Sequence, residues 1–167
     1  VCFNNINWIG NGFLIPSGPL REKVQSILKY DAIFLNGNEE DNSYIIDSIK
    51  EINSDIKIFE TYYIPTNINK FNIEDNYLMF AGIGNPESFK RTLLKHKLKI
   101  IKEINFPDHY QYSKKDIEKI KSIALDLDAK IITTEKDFVK ISSKNSNKIN
   151  FLEINIFIKK QSELTSF

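Results

Sequence analysis

Tyr77-Leu78-Met79-Phe80-Ala81-Gly82-Ile83-Gly84-Asn85-Pro86-Glu87-Ser88-Phe89 joins an apolar run to a glycine turn and a helix start. Residues 77–81 predict a strand. Asn85 suits an N-cap and Pro86 the first helical position, so a helix opens there, with Phe89, Leu93 and Leu94 as its inward face. Strand–turn–helix is the unit of a layered α/β fold, and the rest of the chain repeats it. Residues 98–104 form the next strand. Ser113-Lys114-Lys115-Asp116 reads as a capping box opening a helix with Ile117, Ile120, Ala124 and Leu127 inward. Residues 130–133 are a strand, Thr134 to Asp137 cap a short helix bearing Phe138 and Ile141, and 150–158 is the final strand. Leu152, Ile154, Ile156 and Ile158 alternate along one of its faces.

Upstream of Tyr77 the pattern is similar. Residues 1–3 read as the end of a strand. Leu20, Val24, Ile27 and Leu28 mark a helix face, and residues 32–35 a short strand closed by Asn36-Gly37. A second helix carries Ile45, Ile46, Ile49 and Ile52, and residues 56–64 form a strand ending at Pro65. Tyr62 and Tyr63 are expected to pack in a core. Strands alternating with helices predict an α/β fold, a three-layer αβα arrangement with a largely parallel sheet. The asparagine-rich stretch 65–76 reads as a connector. It separates residues 1–64 from an αβα lobe over 77–158, with a loose tail over 159–167.

Composition narrows the function classes. The chain has 167 residues, 41% hydrophobic and 27% charged, which is ordinary for a globular domain. A formal charge of +1 lacks the basic excess of nucleic-acid binders, so no nucleic-acid partner is expected. Cys2 is the only cysteine, which excludes an intrachain disulfide or a cysteine zinc site and fits a reducing compartment. No apolar run approaches the roughly 18–20 residues that span a bilayer. The expected chain is soluble or peripheral.

Chemistry-bearing residues are few. His109 follows Pro107 and Asp108 in a loop after a strand, among Phe106, Tyr110 and Tyr112. Histidine titrates near neutrality and can bond a carboxylate or move a proton, yet a lone loop histidine is also compatible with a structural role. Residues 82–87 form a strand–turn–helix junction whose backbone N–H groups can meet an anion. A tight, well-capped turn explains them equally, and Glu87 stands where a dinucleotide fingerprint has its third glycine. Thr133 to Asp137 can serve a ligand at a strand end. The favoured reading is a helix cap with surface charges. A second glycine–proline loop, Gly10-Asn11-Gly12-Phe13-Leu14-Ile15-Pro16-Ser17-Gly18-Pro19-Leu20-Arg21-Glu22, runs into a helix start. Arg21 there can clamp a phosphate or pair with a local carboxylate.

Four blocks together resemble one family. The loop 10–22 is similar to G-N-G-R-L-L-P-A-G-P-L-R-E of the tetraacyldisaccharide 4'-kinases, the lipid A kinases of Gram-negative bacteria. Residues 81–89 resemble the family's A-G-I-G-N-P-x-x-F, residues 106–112 its F-P-D-H-H/Y-x-Y, and residues 133–137 its T-T-E-K-D. The order is preserved, and the match covers about half of a full family member. The resemblance implies the C-terminal part of a P-loop-kinase-like two-domain protein, with residues 1–64 completing the N-terminal kinase domain. It implies transfer of the ATP γ-phosphate to the 4'-hydroxyl of tetraacyldisaccharide 1-phosphate, in lipid A and hence lipopolysaccharide biosynthesis. His109 matches the family histidine that pairs with an aspartate of the N-terminal half to prepare that hydroxyl. Asn11 and Arg21 fall on the substrate side. ATP and Mg²⁺ are implied cofactors, held mainly by the other half, and the workplace is the cytoplasmic face of the inner membrane.

Two departures stand out. Phe13 occupies a position where the family commonly has arginine, and Phe3-Asn4-Asn5 replaces its F-D-G. The six glycines, at 10, 12, 18, 37, 82 and 84, include no pair spaced for a G-x-x-x-x-G-K-[ST] phosphate loop, and no D-D-G-F-Q occurs. The expectation is therefore a chain inactive alone, working with a missing or separately encoded N-terminal half. Two other readings stay open: a noncatalytic fragment from a split or decayed gene, and an independent anion-binding α/β module.

Overall fold

A computed structural model describes residues 1–37 and 41–165. The chain forms two compact units: Val1–Ile64 with Asn155–Phe167, and Pro65–Ile154. The elements in chain order begin with β1 (Cys2–Asn4), β2 (Ala32–Gly37), α1 (Ser43–Ile52) and β3 (Lys57–Pro65). β4 (Asn76–Ala81), α2 (Pro86–Lys95), β5 (Lys99–Asn105), α3 (Lys114–Asp126), β6 (Lys130–Thr134), α4 (Glu135–Phe138) and β7 (Ile149–Leu152) follow. β8 (Ile154–Ile158) and α5 (Gln161–Thr165) close the series.

In the first unit the strand order is β1-β2-β3-β8, and β1, β2 and β3 run parallel. The spacing of Ile45 and Ile49 puts both on one helix face, and they bury against Ile33, Leu35, Ile27 and Ile56.

The second unit has the order β5-β4-β6-β7, with every pairing parallel. β4 is central, and Tyr77 through Ala81 are all essentially inaccessible. A parallel strand covered on both faces needs such a continuous apolar run. The two faces are divided by parity. Tyr77, Met79 and Ala81 pack with Phe89 and Leu93 of α2, while Leu78 and Phe80 pack with Ile117, Ile120 and Ala124 of α3. Helices on opposite faces make this unit the expected αβα sandwich. Each of these large side chains contributes about 1.5–3 kcal/mol by leaving water. The helix starts are set by their caps. Asn85 accepts from the Ser88 N–H at 3.0 Å, and Pro86 stands at the first turn. Ser113 and Asp116 form the reciprocal capping box of α3.

Several local expectations change. No α-helix begins at Leu20; the segment is a 3₁₀ turn, Val24–Lys29, with Leu28 62% exposed. Leu20 is instead tied back into the loop, its carbonyl accepting from the Ile15 N–H and its own N–H donating to Phe13 O. Leu94 and Leu127 are exposed rather than inward. The first lies one helical step, roughly 100°, from buried Leu93, and the second sits at the C-cap of α3. Tyr63 is half exposed, while Tyr62 packs at a tilt against Phe157 with ring centroids 4.9 Å apart.

The stretch 65–76 is packed structure. Ile68 and Phe71 join the α2-side core, and Asn67 is buried. The Asn67 amide donates to Phe151 O at 2.9 Å and accepts from the Glu153 N–H at 3.0 Å. Asn67 thereby ends β7, so the strand expected over 150–158 is two strands in two different sheets. Of the tail over 159–167, Gln161–Thr165 is helical and Ser166 and Phe167 lie outside the described residues.

Candidate functional site

Three of the four sequence blocks meet at the C-terminal ends of β4, β5 and β6 in the second unit. β4 leads through α2 to β5 on one side, while its neighbour β6 leads through α4 to β7 on the other. Neighbouring strands that send their connections in opposite directions define the crevice where open α/β sheets place ligands. Here that crevice holds side chains of the chain itself.

Asp137 is fully buried there. Its Oδ2 accepts from the Gly82 N–H at 2.9 Å and from Thr134 Oγ1 at 2.8 Å, and its Oδ1 accepts from Lys140 Nζ at 2.9 Å. Thr134 caps α4, as its place after a strand suggests, by accepting from the Asp137 N–H. Asp137 is not the surface charge expected from the sequence. A buried carboxylate needs paired donors, and all three partners supply them.

The carbonyl of Gly82, in the next peptide, holds the histidine loop. The His109 N–H donates to Gly82 O at 3.2 Å, and the Phe106 N–H donates to Ala81 O at 2.8 Å. His109 has φ of +61°, a left-handed backbone uncommon for a residue with a side chain. Its imidazole is 76% exposed, with Nε2 3.8 Å from Asp108 Oδ2. Asp108 also accepts from the His109 N–H at 2.9 Å and faces Lys136 Nζ at 3.4 Å. Burial draws the Asp108 carboxyl upward. The His109 N–H bond and the His109 and Lys136 charges outweigh that and hold it below the usual carboxylate range.

Aromatic rings support the loop from below. Phe106 lies 4.7 Å from Tyr110 and 5.2 Å from Tyr112, which in turn meets Phe80 edge-on at 5.4 Å. The Tyr110 hydroxyl donates to Asp116 at 3.2 Å, linking the loop to the α3 cap. The Tyr112 hydroxyl is buried without a hydrogen bond, and burial together with the Asp137 charge pushes its phenol far above the ordinary range. Gly82 is a spatial necessity here. A Cβ would come 2.8 Å from Tyr112 Oη and 3.3 Å from Asp137 Oδ1.

This turn does not fit a polyphosphate. The Gly82 N–H is spent on Asp137 and the Ser88 N–H on Asn85. Glu87 stands in the first turn of α2, and Asp108 Oδ2 lies 3.3 Å from where a Gly84 Cβ would be. Carboxylates oppose an anion at a helix N-terminus. Among the described residues no group of three or more His, Cys, Asp or Glu side chains converges to hold a metal ion.

Asn11 and Arg21 belong to the first unit. Both ends of the Asn11 amide are engaged inside the loop, its nitrogen donating to Ser17 O at 2.9 Å and its oxygen accepting from the Phe13 N–H at 3.2 Å. A Cβ on Gly18 would collide with Asn11 Oδ1 and Phe13 O, so only glycine fits. Arg21 is exposed and forms no ion pair among the described residues. It lines a cleft of about 410 Å³ with Asn4, Trp8, Glu22 and Tyr30. Phe13 and Ile15 are each 62% exposed.

Sequence reasoning reached His109, Asn11 and Arg21 but passed over Asp137, Lys140, Lys136 and Tyr112 as partners. The available signal was the T-x-x-D spacing of a cap. Nothing local to it reports burial.

Comparison with known proteins points to one family. A family model described as LpxK, tetraacyldisaccharide-1-P 4'-kinase, matches residues 1–167. A tetraacyldisaccharide 4'-kinase of Pelagibacter ubique is 48% identical over 166 residues, covering 99% of this chain and 53% of that protein. The corresponding kinase of Rickettsia typhi is 39% identical over 151 residues, covering 89% and 44%. Among solved structures, an "apo" form of LpxK from Aquifex aeolicus in complex with ATP superposes with a TM-score of 0.61 at 19% identity. That alignment covers 99% of this chain and 49% of the other, and it shows the shared α/β fold. The chain spans about half the length of the curated relatives it matches.

Proposed function

This chain belongs to the tetraacyldisaccharide-1-P 4'-kinase family, and from that premise we propose that it forms the C-terminal half of such a kinase. In this reading residues 1–64, with β8, complete the kinase domain, and 65–154 form the C-terminal lobe. The reaction is transfer of the ATP γ-phosphate to the 4'-hydroxyl of tetraacyldisaccharide 1-phosphate, a step of lipid A biosynthesis. The observation that carries the proposal is His109: an exposed imidazole on a left-handed residue whose backbone is bonded at Gly82 and whose neighbour Asp108 is bonded in turn.

The 4'-oxygen forms its bond to the γ-phosphorus while the bond from that phosphorus to the β–γ bridging oxygen breaks, and ADP leaves with the electron pair. The hydroxyl proton passes to a carboxylate of the other half, with which His109 is hydrogen-bonded. His109 thus orients and tunes the base. Asp108 keeps the loop in place, and Arg21 with Asn11 serves the substrate side, Arg21 through charge and Asn11 by holding the loop. ATP, the phosphoryl donor, and Mg²⁺ would be held by the nucleotide-binding half. No helix among the described residues is long and apolar enough to cross a membrane; the proposed place of work is peripheral, on the cytoplasmic face of the inner membrane.

The test is His109→Ala in the full-length protein. The expected result is a fall in kcat on the order of 10²-fold or more, with KM for ATP changed less than threefold. A kcat within twofold of the parent overturns the assignment. The chain assayed alone is expected to give no lipid phosphorylation, and activity restored by the nucleotide-binding half separates a split enzyme from an inert fragment.

A further inference from the structure

We propose that Asp137 is a positioning residue for His109, acting through the backbone of Gly82. The inference rests on the role given to His109 above. It concerns a carboxylate that touches neither substrate nor the reacting atoms.

Both backbone groups of Gly82 are bonded, each in a different peptide unit. The Gly82 N–H donates to Asp137 Oδ2 at 2.9 Å, and the Gly82 carbonyl accepts from the His109 N–H at 3.2 Å. The two successive peptides that flank the Gly82 Cα are therefore fixed, one by Asp137 and the other by the histidine loop. Asp137 is wholly inaccessible, so its bonds are not in exchange with water. Thr134 Oγ1 and Lys140 Nζ fix the carboxylate's rotamer at 2.8 and 2.9 Å, and Lys140 also lies 3.5 Å from Gly82 O. His109 has a contrasting setting, exposed and left-handed. A residue in that backbone region persists when its surroundings over-determine it. The surroundings here are the Gly82 carbonyl, the Asp108 side chain and the rings of Phe106 and Tyr110. Of these, the Gly82 carbonyl is the one whose residue is anchored to a buried charge, through its N–H.

A carboxamide at 137 that keeps its oxygen for the Gly82 N–H and Thr134 turns its amino group toward the Lys140 ammonium, so the anchor loosens while its volume is conserved. The decisive experiment is a double-mutant cycle in the full-length protein: Asp137→Asn, His109→Ala and both together, with melting temperature recorded for each. The expected result is a loss of kcat of about 10-fold or more for Asp137→Asn, KM for ATP within twofold. In the His109→Ala background the same change has less than a twofold effect. An equal loss in both backgrounds means that Asp137 acts as a general structural residue and overturns the proposal; so does full activity of Asp137→Asn. NMR of the His109 backbone gives an independent reading. Asp137→Asn is expected to change the His109 amide shift and its HN–Hα coupling, whereas an unchanged loop overturns the positioning claim. If His109→Ala alone leaves kcat intact, the catalytic reading of His109 fails, and the NMR result still decides whether Asp137 holds the loop.

Discussion

The two motif-bearing regions, the Gly10–Glu22 loop and the strand ends around Gly82, are built on opposite plans. The loop stabilises itself: Asn11 bonds Ser17 and Phe13, and Leu20 bonds Phe13 and Ile15, all within a dozen residues. The strand ends are held by partners remote in sequence. Gly82 meets Asp137 across 55 positions, Phe80 O accepts from Thr133 Oγ1 across 53, and Asp108 faces Lys136 across 28. A self-contained loop can present side chains such as Phe13 and Ile15 outward without involving the core. A site assembled from three strand ends fails or holds as a unit.

The contrast is most exposed to Gly82→Ala. The new Cβ meets Tyr112 and Asp137 in a packed interior, and the expected cost is about 1–3 kcal/mol, read as a lower urea midpoint. A neutral outcome means that the strand ends yield independently, contrary to the plan described. Asn11→Ala is the matching change in the loop. Two hydrogen bonds at an exposed site are lost, and the expected destabilisation is about 1 kcal/mol or less, with no change in the amide shifts of residues 65–154. Spread of shift changes into the second unit erases the distinction.

Acid offers the gentlest separation. The Ser113 hydroxyl and backbone N–H bonds hold the Asp116 carboxyl below its ordinary range, and Asp108 is held low as well. A carboxyl whose folded value is depressed stabilises fully above its unfolded value of about 3.9 and loses that stabilisation as pH falls through the folded value. Both carboxylates lie in the second unit. Urea midpoints followed from pH 5 to pH 2 should therefore fall less steeply for Asp116→Asn than for the parent, and parallel curves remove Asp116 from the account.

These two plans also explain what could be read in advance. The glycine turn after β4, the Asn85–Pro86 start of α2 and the capping box at Ser113 are local patterns, and each stands where the residues indicate. The T-x-x-D spacing announced the α4 cap but not that Asp137 is buried, because burial depends on β6 lying beside β4. The division of 150–158 into two strands escaped notice for a similar reason. Alternation of apolar residues runs through Glu153 unbroken, and the agent that ends β7 is Asn67, more than eighty positions earlier. His109 was recognisable from its block, while the peptide that holds it was not.

The parallel order β5-β4-β6 also governs timing. β4 and α2 are contiguous, but Asp137 reaches Gly82 only after α3 has crossed the sheet and β6 has docked on the far side of β4. Contacts that close such long segments are the slow ones. The histidine loop therefore acquires its anchor only once β6 has docked, and a chain in which it has not yet done so holds every motif residue without the geometry that joins them.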